Sequence, residues 1–397
     1  MPAGLAGLGF EGLLSRQSDP WLAGETLGEH LRRRGVSRRD FARFCGQVAL
    51  TLGVGTALTP SVAKALQRQR KPTVVWLELQ ECTGCVEATV RANEPTLGNL
   101  LLDVVSLDYS DTLMAAAGDA AEHARETAMK ENFGKYLLIV TGSVPMLEGG
   151  MYTTIAGRTA HDHLVEAAKG AAAIIALGAC AHFGSVQAAK PNPTGAKGVR
   201  EIITDRPVLN IAGCPPVPDV IVATVVHFLT FGKLPKADSE GRPLFAYGAR
   251  IHDQCPRRGH FDAGQFAHTF DDAGARQGWC LYEVGCKGPQ TFSPCPIFMW
   301  NEKTSWPIGA GHPCIGCTEP YFWDTMSPFY QRLPGVTGFG IEKSVDTIGL
   351  GLLGATAGGV AVHAAWTFAD RARRRQLPIY GQQPPAGGDV GAPPSAG

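Results

Sequence analysis

The sequence predicts an α/β fold: a parallel sheet covered on both faces by helices, then an irregular cysteine-rich domain, then one C-terminal transmembrane helix. Three observations carry this. Short apolar runs alternate with Ala-rich helical stretches between residue 72 and about residue 235. From about 240 to 335 that alternation disappears, Gly, Pro and aromatic residues rise, and cysteine recurs every few positions. From Thr347 to Ala369 the chain carries no formal charge, which is long enough to span a hydrocarbon core of about 30 Å as a helix.

The first strand is expected over Val74–Leu79. The next four are expected over Val104–Leu107, Tyr136–Val140, Ala173–Leu177 and Val208–Ile211, with helical segments such as 114–129 and 159–170 between them. The loops after three of these strands carry cysteines. Glu81-Cys82-Thr83-Gly84-Cys85 comes after the first, Gly178-Ala179-Cys180 after the fourth, and Gly213-Cys214-Pro215-Pro216 after the fifth. In open parallel sheets ligands bind beyond the carboxyl ends of the strands. Cys82, Cys85, Cys180 and Cys214 therefore reach one edge as a complete thiolate set for a [4Fe–4S] cluster. The Cys82–Cys85 pair alone is weak, because zinc ribbons and redox dithiols share it. A structural zinc site normally uses two compact pairs, whereas Cys180 and Cys214 are single and far apart. The spacing favours a cluster and leaves zinc as the alternative.

The cysteine-rich segment has too little regular structure to be held by backbone ladders alone, and metal ligation can supply the missing stability. His252, Cys255, Cys280 and Cys286 make a four-ligand set with one imidazole, which raises a cluster's potential. Cys295, Cys314 and Cys317 leave a three-ligand set suited to a [3Fe–4S] cluster. Alone, His252 reads more often as a structural histidine; its place three residues before Cys255 brings the ligand reading level with it. The sets use all of the 11 cysteines except Cys45.

The two ends read as addresses. Arg38 and Arg39 form a twin-arginine pair, followed by a mildly apolar run from Phe44 to about Leu58 and by the small-residue site Ala63-Lys64-Ala65. Residues 1–65 are thus expected to be a cleaved leader of the route that exports folded proteins. Thiolates can then be metallated before export, which removes the need for the disulfide framework that an exported chain otherwise suggests. The uncharged span 347–369 is followed by Asp370, Arg371, Arg373, Arg374 and Arg375, a cytoplasmic flank by the positive-inside rule. The expected address is the periplasmic side of the cell membrane. His363 lies within the span, as a functional group or as a neutral hydrogen-bonded one. Residues 370–397, rich in Pro and Gly toward the end, read as a disordered cytoplasmic tail. Lys plus Arg equals Asp plus Glu at 36 each, so nothing points to nucleic acid.

In combination these motifs resemble the small subunit of membrane-bound nickel–iron uptake hydrogenases. The resemblance covers roughly 72–330. It also rests on the runs Ala188 to Ala196 and Ile251 to Phe261, on Gly278-Trp279-Cys280, on Gly285-Cys286-Lys287-Gly288-Pro289, and on Gly311 to Cys317. It implies a flavodoxin-like domain (66–240) with a proximal [4Fe–4S] cluster, and a second domain (241–335) with medial [3Fe–4S] and distal His-ligated [4Fe–4S] clusters. Pro307 would stand at the vacant corner of the medial cluster. Hydrogen would be split on a separate large subunit, and electrons would leave for an integral membrane acceptor, a cytochrome b or similar, feeding quinone. Gly84 and Ser185 stand where oxygen-tolerant relatives carry extra cysteines, which implies an ordinary proximal cubane. Glu81 and Glu87, beside the first ligands, are read as surface carboxylates. The rival readings are an iron–sulfur electron-transfer subunit of a different membrane oxidoreductase, and an exported protein stapled by disulfides or zinc.

Overall fold

The structure, a computed structural model, describes residues 25–33, 35, 37–51, 59–60, 63–64, 71–92, 105–333 and 341–376. The start of the expected leader and the expected disordered tail from 377 onward lie outside the described residues. The chain forms two compact units, Met1–Pro334 and Gly335–Gly397. The helices that matter here are α1 (Leu27–Arg33), α2 (Arg38–Thr51), α3 (Gly84–Val90), α4 (Asp119–Glu131), α5 (Ala160–Lys169), α6 (Pro218–Phe231) and α7 (Ile341–Gln376).

The five strands are β1 (Thr73–Glu78), β2 (Ser106–Tyr109), β3 (Tyr136–Thr141), β4 (Ala171–Leu177) and β5 (Val208–Ile211). They form one sheet in the order β2-β1-β3-β4-β5, with every pairing parallel. This is the flavodoxin order, whose switch point lies between β1 and β3. β2 sits slightly later than expected because Ser106 pairs with Thr73 at the start of β1; Val104 lies outside the described residues.

Side chains alternate across the sheet with a period of two. Val74, Trp76, Leu137, Ile139 and Ile175 face α3 and α6, while Val75, Leu77, Leu138, Val140 and Ile174 face α4 and α5. Both faces are therefore buried, which is why the strands read as continuous apolar runs. Local chemistry sets the helix ends. The Thr159 hydroxyl accepts the Asp162 N–H at 3.1 Å at the start of α5, and α6 opens on Pro218 and stops at Gly232 in the left-handed region.

The helix α6 is apolar on more than its sheet-facing side, and α2 packs against it. Phe41, Cys45 and Ala49, spaced four apart on α2, are buried in the same core as Val220, Val225 and Val226 of α6. The stretch read as an export leader is thus a packed helix in the uncleaved chain. Arg39 is exposed; the Arg38 side chain and Ala65 lie outside the described residues.

Beyond residue 241 the chain runs in short helical turns, such as Ile251–Gln254 and Cys295–Phe298, around a small core of Ile251, Ala267, Leu281, Val284, Trp306 and Ile308. In the second unit, α7 covers the whole stretch 347–369, but the sequence expectation of a spanning helix is not upheld. Among the described residues no helix is long and apolar enough to cross a membrane. The side chains of 347–350 and 352, Ile348, Leu350 and Leu352 among them, lie outside the described residues. Leu353, Val360, Val362, Trp366 and Phe368 are all exposed along it.

Candidate metal centres

The first cysteine group sits at the carboxyl edge of the sheet. Cys82 and Cys214 are exposed; Cys85, in the first turn of α3, and Cys180, in the turn Ala179–Phe183, are buried. They form one electrostatic group. Burial first, then Glu81, Cys180, Cys214 and Cys82, hold the Cys85 thiol well above its usual range. Burial, with Cys214 next, pushes Cys180 up to about 11. Ser185 lies beside both Cys180 and Cys214.

The backbone makes room for the Cys85 sulfur itself. Gly178 has φ +94, and a Cβ there would lie 2.3 Å from Cys85 Sγ. Gly178→Ala is expected to displace Cys85 and lower the iron bound at this edge, with a backbone strain of about 1–3 kcal/mol on top. Iron content and thermal unfolding of the purified variant measure the two effects separately.

The second group lines a cavity. His252, Cys255, Cys280 and Cys286, with Ile251, Leu281 and Pro289 among others, surround about 300 Å³ of non-protein space, part of it open to solvent. The His252 Nε2 atom is buried without a hydrogen-bond partner. Burial pushes Cys280 up to about 12 and Cys286 to about 11, and Cys255 raises both. An orphaned imidazole nitrogen and three thiols around one cavity fit a His-and-cysteine-ligated cluster, because each donor lacks only a metal partner.

The third group is Cys295, Cys314 and Cys317. Cys314 feels both Cys317 and Cys295, and burial pushes Cys317 up to about 12. The Ser293 hydroxyl donates to Cys295 Sγ at 3.2 Å and the Gly316 N–H to Cys314 Sγ at 3.3 Å. Such hydrogen bonds to ligand sulfurs tune cluster potential. Trp306 beside them is buried and Pro307 is exposed.

The groups follow one another. Cys317 neighbours Cys214 of the first group, and Cys314 neighbours Cys286 of the second. All eleven cysteines are free. Among the described residues no three His, Cys, Asp or Glu side chains converge as ligands of a single metal ion do. Thiols raised by burial stay protonated until a cationic core arrives, so loading releases protons.

Sequence reasoning misjudged one neighbour. Glu87 is exposed and paired with Arg91 at 2.7 Å, as a surface carboxylate should be. Glu81 is different: both its oxygens are buried without a hydrogen-bond partner, and burial, with the carboxylates of Glu78 and Asp111 nearby, pushes it up to about 7. Its place before Cys82 was visible in the sequence; its burial was not.

Residues 247–330 match the family described as the C-terminal part of the NiFe/NiFeSe hydrogenase small subunit, and residues 82–228 match NADH ubiquinone oxidoreductase, 20 Kd subunit. The chain is 47% identical over 351 residues to the uptake hydrogenase small subunit of Azotobacter vinelandii, covering 88% of this chain and 98% of that one. It is 47% identical over 342 residues to the quinone-reactive Ni/Fe-hydrogenase small chain of Wolinella succinogenes, covering 84% and 96%. The fold is similar to a crystal structure of the reduced, active Ni-Fe-Se hydrogenase from Desulfomicrobium baculatum. The TM-score is 0.63 at 34% identity, covering 66% of this chain and 100% of that chain.

Proposed function

This chain belongs to the family of nickel–iron hydrogenase small subunits, and we propose that its three cysteine groups carry electrons in order from a large subunit's nickel–iron site to a membrane acceptor. It is an iron–sulfur electron-transfer subunit, and the hydrogen chemistry takes place on the large subunit. Bound clusters supply one-electron carriers. Cys82, Cys85, Cys180 and Cys214 would hold the proximal [4Fe–4S] cluster. Cys295, Cys314 and Cys317 would hold the medial [3Fe–4S], and His252, Cys255, Cys280 and Cys286 the distal [4Fe–4S]. The observation that carries this reading is the unbroken adjacency of the groups, Cys214 beside Cys317 and Cys314 beside Cys286.

The large subunit would dock over the proximal edge. Met146, Leu147, Met151, Tyr152 and Val186 are exposed there. The backbone N–H groups of Met146 and Leu147 both donate to Thr194 O, and Gln80, next to the proximal loop, contacts Thr194, Ser143 and Gln187. An exposed apolar rim around an otherwise polar edge is the mark of a partner surface. Gly84 and Ser185 in place of further cysteines support an ordinary proximal cubane.

Attachment to the outer face of the cell membrane, after twin-arginine export, is part of the same proposal. The exposed apolar side chains of α7 call for cover by lipid or by an integral acceptor, of cytochrome b type or similar, and Arg371 and Arg373 follow them at the expected flank. Purification from membranes tests the whole. A nickel-containing large subunit should accompany this chain, with about eleven irons and matching labile sulfide on the chain itself. A complex without nickel, or a chain without labile sulfide, overturns the proposal.

A further inference from the structure

Lys287 is 2% exposed, the Lys of Gly285-Cys286-Lys287-Gly288-Pro289. Its ammonium donates to two carbonyls, Pro328 O at 3.0 Å and Gln331 O. The segment supplying them is held tightly: a Cβ on Gly285 would meet Gln331 N at 2.5 Å and Phe329 O at 2.6 Å. Among the described residues no carboxylate forms an ion pair with Lys287. Its titratable neighbours are two thiols from different groups, Cys286 of the distal set and Cys314 of the medial set; burial lowers the ammonium's pKa from its usual value, and these two sulfurs, once thiolate, raise it. Its backbone is locked between them, its N–H donating to Cys314 O at 2.8 Å and its carbonyl accepting the Thr291 hydroxyl at 2.7 Å. That hydroxyl lies 3.7 Å from Cys314 Sγ.

A buried ammonium without a counter-charge is costly. The two carbonyl dipoles satisfy two of its three donors but do not neutralise it. The negative charge it lacks is what thiolate-ligated clusters would carry on either side. A fixed cation stabilises whichever neighbouring centre gains an electron, and a low-dielectric setting strengthens the effect. We propose that Lys287 is a shared cation that raises the reduction potential of both the medial and the distal centre relative to the proximal one, drawing electrons outward along the chain. This rests on the ligand sets proposed above. It moves no proton and makes no bond; each centre takes and passes on one electron derived from H2.

The test is a redox titration of the purified heterodimer followed by electron paramagnetic resonance, for wild type, Lys287→Gln and Lys287→Arg. In Lys287→Gln the medial and distal midpoints should both fall by about a tenfold change in the reduction equilibrium, 59 mV for a one-electron couple. The proximal midpoint should stay in place, and Lys287→Arg should keep all three. Loss of the medial and distal signals in Lys287→Gln but not in Lys287→Arg also supports the role of charge. Unmoved midpoints in a loaded Lys287→Gln enzyme overturn it. So does equal loss of both centres from the two variants, which would trace the role to packing. Absence of clusters from the wild type overturns instead the functional reading beneath it.

Discussion

Cys85→Ala is expected to remove about four irons from the chain and to abolish H2-driven reduction of a dye that takes electrons from the distal end. The thiol is buried at the centre of the proximal group, flanked by Cys82, Cys180 and Cys214, and the Gly178 backbone closes over it. The medial and distal signals should survive, because Cys295 is held by Ser293 and Cys314 by Gly316 and Thr291, all outside the proximal loops. Cys45→Ser serves as the control. Cys45 is buried in the α2–α6 core of the uncleaved chain and belongs to none of the three cysteine groups, so iron content should not change. An unchanged iron count in Cys85→Ala would remove Cys85 from the ligand set.

The second large effect is on stability. Arg242 is 4% exposed and joins the turn after the sheet domain to the loop that carries Cys317. Its guanidinium donates to Asp238 at 2.8 Å, to Glu319 at 3.0 Å and to Thr318 O at 3.0 Å, and it lies over the rings of Tyr247 and Phe292. Glu319 in turn accepts the Phe292 N–H at 2.6 Å. Removing one member strands buried charge. Arg242→Met should destabilise by about 3–5 kcal/mol. Burial already raises Glu319, and without the arginine it is left without its counter-charge. The change should appear as a lowered unfolding midpoint of the purified heterodimer, together with loss of the medial signal, since Thr318 and Glu319 directly follow Cys317. Adding Glu319→Gln to Arg242→Met should recover part of the loss by removing the stranded carboxylate. An Arg242→Met enzyme as stable as wild type would show that the packing around Tyr247 and Phe292 suffices.

Much of this was legible in the sequence, for reasons that differ by element. The parallel sheet could be read because strands buried on both faces must be apolar at every position, as Thr73–Glu78 and Tyr136–Thr141 nearly are. The proximal group could be read because βα loops return to one edge of such a sheet whatever their separation along the chain. The distal and medial sets emerged from cysteine density and the His252–Cys255 spacing.

The properties that escaped depend on contacts distant in sequence. Glu81 looks like any carboxylate beside a loop until Glu78, Asp111 and the sheet edge enclose it. Lys287 looks like a surface lysine until Pro328–Gln331 folds back over it. An export leader and a packed helix share one pattern of spaced apolar residues. Only the apolar outer side of α6 decides that Phe41, Cys45 and Ala49 are buried. The sequence by itself determined which atoms can be ligands and in which fold they are presented, since both follow from local periodicity and covalent spacing. Tertiary structure alone decided which cysteine groups adjoin and which charged side chains are buried between them, because burial and electrostatics sum over residues that only folding brings together.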